Sequence, residues 1–383
     1  MINQVNQQTK PKGLLNVGAT CYMNAVLQCF YHVKILTNEL LKYGNIPFNN
    51  IPFNNMSSAY YYVISELSHS SENAVNPTPF KNVISSNPLF SGIQANDSKD
   101  LILYFFETID KELTFLNYKC ENPKYINRIR YMMNNQNKEL MNIIYSFDNY
   151  HKSIISDLFY GFTCNKMTCK GCKEDLVNYQ IFNLLFFPIE AVYNFCKEKN
   201  PQRNKNFCNN RPTTNNSYGN FYNGYSGYSG YSQGTNSNKK VNIYDCFDYE
   251  KTDVNFTGDN KIYCNKCKTL NDSLGNSKIF SSPHILILIL DRGKGNKFEC
   301  EVEFRETLNI RKYVENNDCP VEYNLIGIIS HLGESNMNGH FIADCKHFDD
   351  KWYTFNDSRV SGPYASFQKH GTPYILFYQN SKI

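Results

Sequence analysis

The sequence predicts an α+β chain with helices first and a sheet second, and three observations carry that prediction. Apolar residues recur at helical spacing in two stretches before residue 115. After residue 285 they fall into short runs of β-prone residues separated by turn residues. Between these halves, residues 201–240 lose periodicity altogether.

The elements follow in order. Residues 1–12 are polar and read as a flexible N-terminus, and structure begins at Gly13. Thr20 is placed to cap a helix on which Val26, Phe30 and Val33 share a face, with Met23 and Leu27 beside them; it is expected to end before Gly44. The tandem pentamer Ile46-Pro-Phe-Asn-Asn, Ile51-Pro-Phe-Asn-Asn reads as a duplication tolerated in a surface loop. A second helix is predicted from Asp97, carrying Leu101, Phe105, Ile109 and Leu113, with Asp97 and Asp100 spaced like the partners of a capping box. From Ser153 to Glu190, short β-prone stretches surround a group of cysteines. Residues 201–240, with Tyr225-Ser-Gly, Tyr228-Ser-Gly and Tyr231-Ser in an Asn-rich setting, bury little and read as a disordered insertion. Ile285 to Leu290 is a buried strand. Further strands are expected over Glu322 to Ser330, His340 to Lys346, Lys351 to Asn356 and Thr372 to Tyr378.

Composition narrows the function. With 383 residues, 41% of them hydrophobic, there is ample material for a core, and the low-complexity stretch interrupts one fold; the expected layout is a single domain over 13–383. A net charge of +4, with Lys and Arg not gathered into a stripe, excludes a simple nucleic-acid binder. The longest apolar run is far short of the roughly 20 residues that span a bilayer, so no membrane role is expected. No secretory signal is visible, so a cytoplasmic or nuclear protein is expected. Its 14 cysteines should then be reduced and serve packing, metal binding or catalysis.

Cys21 falls in the first turn of the first predicted helix, where unpaired N–H groups and the helix dipole favour thiolate. Asn16, on the turn before it, offers a side-chain amide to an oxyanion forming beside that thiol. Taken singly, a buried helix-start cysteine is an equally good reading of Cys21, and an ordinary turn asparagine is the better reading of Asn16. Far downstream, Gly339-His340-Phe341 opens a strand and Asn356-Asp357 ends the next, an arrangement that sets an imidazole beside a carboxamide. The order Cys, His, Asn is that of papain-like proteases. His331 is a rival base, though its place before a Gly/Asn/Ser-rich loop suits anchoring or lining. Asn356 and Asp357, as neighbours on a strand, are expected to point to opposite faces, with Asp357 supporting His340 from its own side.

Two longer segments carry a resemblance. Gly13-Leu-Leu-Asn-Val-Gly-Ala-Thr-Cys-Tyr-Met-Asn-Ala-Val-Leu-Gln28 resembles the cysteine box of the ubiquitin-specific proteases. Tyr323 to His331, Gly339-His-Phe and Trp352 to Val360 resemble that family's histidine box. The resemblance runs intermittently from Gly13 to Tyr378. It implies a papain-like fold with a thumb (about 13–145) and with zinc-bearing fingers and a palm (about 146–383). It makes Cys21 the nucleophile, His340 the general base, Asn356 the third member and Asn16 the oxyanion donor of a deubiquitinase, with ubiquitin and ubiquitinated proteins as partners. Gln28 is a further candidate to reach the site.

Cys169-x-x-Cys172 and Cys264-x-x-Cys267 each supply half of a tetrahedral thiolate site, closed to water, for a structural Zn²⁺. A competing match, Cys164-x4-Cys169-x2-Cys172, has plant-type iron–sulfur spacing but leaves the second pair without a task. Asp97 and Asp100 suit a helix start on their own. However, Gln94-Ala-Asn-Asp97-Ser-Lys-Asp100-Leu resembles the family's Gln/Asp/Glu box, which implies that they bind the basic tail of ubiquitin. Gly339 and Phe341 are expected to line the channel for its Gly-Gly end. The chain departs from the family at Leu290-Asp-Arg-Gly, where Lys-Arg-Phe is usual, and at Lys99-Asp100 in place of Gln-Glu. Two other readings stand beside this one: a protease of another Gly-Gly-tailed modifier, and a non-catalytic ubiquitin-binding scaffold, which predicts a damaged triad.

Overall fold

The computed structural model describes residues 10–43, 55–115, 138–199, 239–293, 298–333 and 339–383. The first nine residues, the pentamer repeat up to residue 54 and the insertion up to residue 238 lie outside these, and so do the expectations made for them.

Helices dominate the first part of the chain. The first predicted helix is two, α1 (Cys21–Tyr31) and α2 (Lys34–Tyr43). The break comes at His32, whose Nδ1 turns back to the Gln28 carbonyl at 2.7 Å while its Nε2 meets His347 Nδ1 at 2.9 Å. A tertiary partner thus overrides a local pattern that would have continued. Sharing one core with α1 are α3 (Met56–His69), α4 (Thr78–Ile84), α5 (Ser98–Phe115), α6 (Lys138–Tyr150) and α7 (Ile154–Phe159). On α5 the predicted face is buried: Leu101, Phe105, Ile109 and Leu113, with Phe105 stacked on Phe30 of α1 at 4.4 Å. Residues 154–159, expected to be β-prone, form a helix because Ser153 and Ser156 make a reciprocal capping box. A two-stranded parallel pair, β1 (Gly13–Leu14) with β2 (Ala74–Val75), ties the start of the described chain to this bundle.

The fingers hold a four-stranded sheet, ordered β4 (Asp175–Phe182), β3 (Gly161–Cys169), β10 (Ser273–Ser281), β7 (Val254–Phe256). Beyond it lies the hairpin of β8 (Ile262–Cys264) and β9 (Thr269–Asn271). The largest sheet has eight strands. Its path runs β17 (Arg359–Tyr364), β16 (Trp352–Asn356), β15 (His340–Lys346), β14 (Glu322–Leu332), β18 (Thr372–Asn380), β11 (Ile285–Asp291), β5 (Leu185–Pro188), and β13 (Thr307–Asn309) pairs with β14. The predicted strands fall here within two residues at each end.

β11 explains how the halves join. Its run of six apolar residues has no polar face, as a strand covered on both sides requires. Ile285, Ile287 and Ile289 point into the core shared with α1, α3 and α5. Leu286, Leu288 and Leu290 point into a second core with Phe187, with α8 (Ile189–Lys199) and α9 (Ile243–Glu250), and with Trp352 and Tyr378. One sheet is therefore the common wall of two cores, and strands β14–β16 bring their ends to the first residue of α1. Among the described residues, no helix is long and apolar enough to cross a membrane.

Candidate active site

All eleven residues of α1 are buried, and Cys21 is the first of them. The chain enters this helix through Gly18 (φ 116°) and Ala19 (φ 48°), a left-handed pair that costs roughly 1 kcal/mol at the alanine. Asn16 holds that turn together. Its Oδ1 accepts from the N–H groups of Gly18 (3.2 Å) and Thr20 (3.1 Å) and from the Thr20 hydroxyl (3.3 Å). Thr20 therefore precedes the helix as expected but caps nothing with its side chain. Its hydroxyl is engaged with Asn16 and with the Val17 N–H at 3.0 Å. The first-turn N–H groups of α1 are left to whatever sits over Cys21.

His340 opens β15, and Asn356 closes the neighbouring strand β16; the Asn356 Oδ1 lies 2.7 Å from His340 Nε2. With Nε2 engaged, Nδ1 is left for the Cys21 thiol, whose nearness is the largest influence on the His340 ring. That nearness, then the Asn356 bond and the nearby Asp357 charge, outweigh burial and push the His340 pKa up to about 9. The imidazolium form is therefore favoured at neutral pH. The fold brings together Cys21, His340, Asn356 and Asn16 from the two ends of the chain.

Asp357 is not on the strand. It sits in the turn after β16 with a left-handed φ of 50°, and its side chain leaves Asn356 in another direction. Oδ2 accepts from Asn16 Nδ2 at 2.9 Å, and Oδ1 from Asn24 Nδ2 at 2.8 Å. Its backbone carbonyl accepts from the Leu14 N–H at 2.9 Å. Gly13 makes this approach possible: a Cβ there would stand 2.5 Å from the carbonyl oxygens of Asp357 and Ser358. Asp357 thus acts mainly on the loop before Cys21, and on His340 only through its charge.

His331, the rival base, is buried near the end of β14 with its ring against Phe341 (4.9 Å between centroids). Burial pulls its pKa down. Gly339 is half-buried beside His340, but the Phe341 ring is buried between His331 and Tyr374 and offers little surface to a channel. Gln28 turns away from the site, its Nε2 donating to the Lys12 carbonyl at 2.9 Å.

Asp97 precedes α5, which starts at Ser98, and accepts from the Lys99 N–H at 2.9 Å. This is a simple N-cap to the second helical N–H; neither bond of the expected capping box with Asp100 is present among the described residues. Asp97 has a stronger partner that the sequence did not suggest, the Tyr374 hydroxyl, 2.9 Å from both carboxylate oxygens. Burial and the Asp97 charge raise the Tyr374 pKa far up, so it stays a donor. Asp100 is half-buried, and burial together with Asp97 raises its pKa.

The cysteine quartet stands apart. The thiols of Cys169, Cys172, Cys264 and Cys267 all lie within 4.8 Å of one another, with Cys172–Cys264 at 3.5 Å and Cys169–Cys267 at 4.0 Å. A tetrahedron with metal–sulfur bonds of about 2.3 Å has edges of about 3.8 Å, so the four fit a zinc-sized ion. Each knuckle closes on a left-handed lysine, Lys173 (φ 60°) and Lys268 (φ 59°), whose N–H returns to Cys169 or Cys264. Cys164 lies outside the group, so the iron–sulfur spacing selects a set that the fold does not assemble. All twelve cysteines among the described residues are free thiols.

Comparison with known proteins agrees with this geometry. A family model described as ubiquitin carboxyl-terminal hydrolase matches residues 12–378. The chain is 24% identical over 380 residues to ubiquitin carboxyl-terminal hydrolase Usp2 of Drosophila melanogaster, covering 96% of this chain and 35% of that protein. It is 25% identical over 378 residues to ubiquitin carboxyl-terminal hydrolase 10 of Saccharomyces cerevisiae (92% and 45%). It is 24% identical over 385 residues to ubiquitin carboxyl-terminal hydrolase 2 of Homo sapiens (96% and 54%). The chain thus spans about a third to a half of the length of these relatives.

Proposed function

The chain belongs to the ubiquitin carboxyl-terminal hydrolase family, and from that premise we propose that it is a thiol deubiquitinase that cleaves the isopeptide bond after ubiquitin's C-terminal glycine. The observation that carries the reading is the His340–Asn356 pair at 2.7 Å, with Cys21 near enough to the ring to raise its pKa.

The residues divide the work as follows. The Cys21 thiolate, paired with the His340 imidazolium, attacks the glycine carbonyl. Charge develops on the carbonyl oxygen, where the second Nδ2 hydrogen of Asn16 and the open N–H groups of α1 would meet it. As the tetrahedral intermediate collapses, His340 gives its proton to the leaving lysine amine, and ubiquitin remains as a thioester on Cys21. His340, now neutral, takes a proton from water; the hydroxide adds to the thioester, and the thiolate leaves. Asn356 keeps the imidazole turned to the thiol throughout.

The acidic pair at the start of α5 suits the basic tail of ubiquitin, Asp97 being held in place by Tyr374 and Lys99. The quartet would hold Zn²⁺, whose part is to close the fingers; with four thiolates around it no position is left for water. An intact constellation counts against the scaffold reading.

The test is mass spectrometry after incubation with a ubiquitin C-terminal electrophile, on wild type, Cys21→Ala and His340→Ala. A single adduct on Cys21 that depends on His340 is expected. An adduct only with another Gly-Gly-tailed modifier would change the substrate, and ubiquitin binding with no adduct at all would leave a scaffold.

A further inference from the structure

Asn24 lies one helical turn after Cys21, in a helix with no exposed residue, and is itself 2% exposed. Its Nδ2 donates to Asp357 Oδ1 at 2.8 Å and faces the carbonyls of Leu15 at 3.2 Å and Leu14 at 3.4 Å. Its Oδ1 is buried with no partner. A buried amide oxygen left unpaired is unfavourable, and an apolar side chain in this core would avoid the penalty. What the amide gains is a donor pair that ties the helix carrying Cys21 to two other places, the segment leading into Asn16 and the turn after Asn356.

We propose that Asn24 is a positioning residue for the reaction: through Asp357 it fixes the carboxamide of Asn16 and so aims the N–H that meets the oxyanion. This rests on the deubiquitinase reading above. The Asp357 carboxylate bridges the two asparagines, one on each oxygen. Its backbone is already anchored through the Leu14 N–H, so the side-chain torsions are the freedom that remains to be removed, and Asn24 removes it. On the far side, Asn16 spends its oxygen on Gly18 and Thr20 and one amide hydrogen on Asp357. Only the second hydrogen is left, and its direction is set once Asp357 is set. One turn, Asn356-Asp357, therefore holds the base with its first residue and the oxyanion donor with its second.

The experiment compares Asn24→Ala, Asn16→Ala and the double variant on a fluorogenic ubiquitin C-terminal amide, with melting temperatures alongside. Asn24→Leu, close in volume, carries the same test if the alanine variant does not fold. Each is also alkylated with iodoacetamide, a reaction at Cys21 that forms no oxyanion. Losing an oxyanion donor lowers kcat by about 10²–10³-fold, which is the expectation for Asn16→Ala. Asn24→Ala should lose at least about tenfold in kcat, leave KM and the alkylation rate within about twofold, and add little in the double variant. Full kcat in Asn24→Ala, multiplied losses in the double variant, or alkylation falling with kcat would each overturn the proposal. Wild-type protein that alkylates at Cys21 but cleaves no amide would overturn instead the reading beneath it.

Discussion

Cys21 begins a helix buried over its whole length, with aromatic rings from α5 and β18 packed behind it, whereas Cys172 and Cys267 stand in strand-end turns whose neighbours face solvent. Around the quartet, Leu176, Val254, Tyr263 and Leu270 are all exposed, and β8 and β9 have three residues each. Both sites gather side chains from distant segments, but different forces hold them. The corner around Cys21 inherits its geometry from two cores that share a sheet. The finger tip has no core of its own, and by apolar burial alone it would not persist. What it has is four thiols at metal-ligand spacing. Around Cys21 packing sets the geometry; at the finger tip a metal held by the four thiols would supply the stiffness that packing does not.

That contrast can be broken by experiment. The largest effect should come from withdrawing the metal that the quartet is proposed to hold. Chelation, or Cys172→Ser, should erase amide-exchange protection in residues 161–182 and 254–281 while β11 and β18 stay protected; loss of protection in both regions together would mean that the two are not separately held. Asn356→Ala should lower kcat by about 10²–10⁴-fold through a misoriented imidazole, with little change in melting temperature. Next comes packing. Ile287→Ala should cost about 2–5 kcal/mol in denaturant unfolding, and Leu270→Ala at the finger tip less than about 0.5 kcal/mol.

A further test is in pH. The His340 pKa is raised to about 9, so the imidazolium persists to that point and kcat/KM should fall above it by about tenfold per unit. The same shift makes charged His340 a stabilising group whose full contribution is present below about pH 6.5 and is lost as pH rises through about 9. Cys21→Ala removes its main cause, and NMR titration of the ring should then give a lower value.

Much of the architecture can be read along the chain because periodicity is local. The face of α5, the run Ile285 to Leu290 and the strands bearing His340 and Asn356 each announce themselves within a dozen residues. The cysteine pairs do so through spacing. Partnerships across the chain are a different matter. Tyr374 meets Asp97 from 277 residues away, and nothing around either residue signals it. The break at His32 depends on His347, and the turn that takes Asp357 off its strand depends on the approach of Gly13. Asn24 did leave a trace: a polar residue three positions after Cys21 in an otherwise core-forming helix. That pattern alone could not say which acceptor it serves.

The two ends of the active site are more than 300 residues apart, and this has a consequence in time. A ribosome adding about 5–20 residues per second needs on the order of tens of seconds to travel from Cys21 to Asn356. Throughout that interval the thiol is already made, but it has no imidazole beside it and no Asp357 to set its loop. The nascent chain therefore carries the proposed nucleophile without its partners, and the constellation is complete only when the last strands of the large sheet are laid down. On the proposed reading, synthesis order itself would keep the thiol silent until the large sheet is laid down.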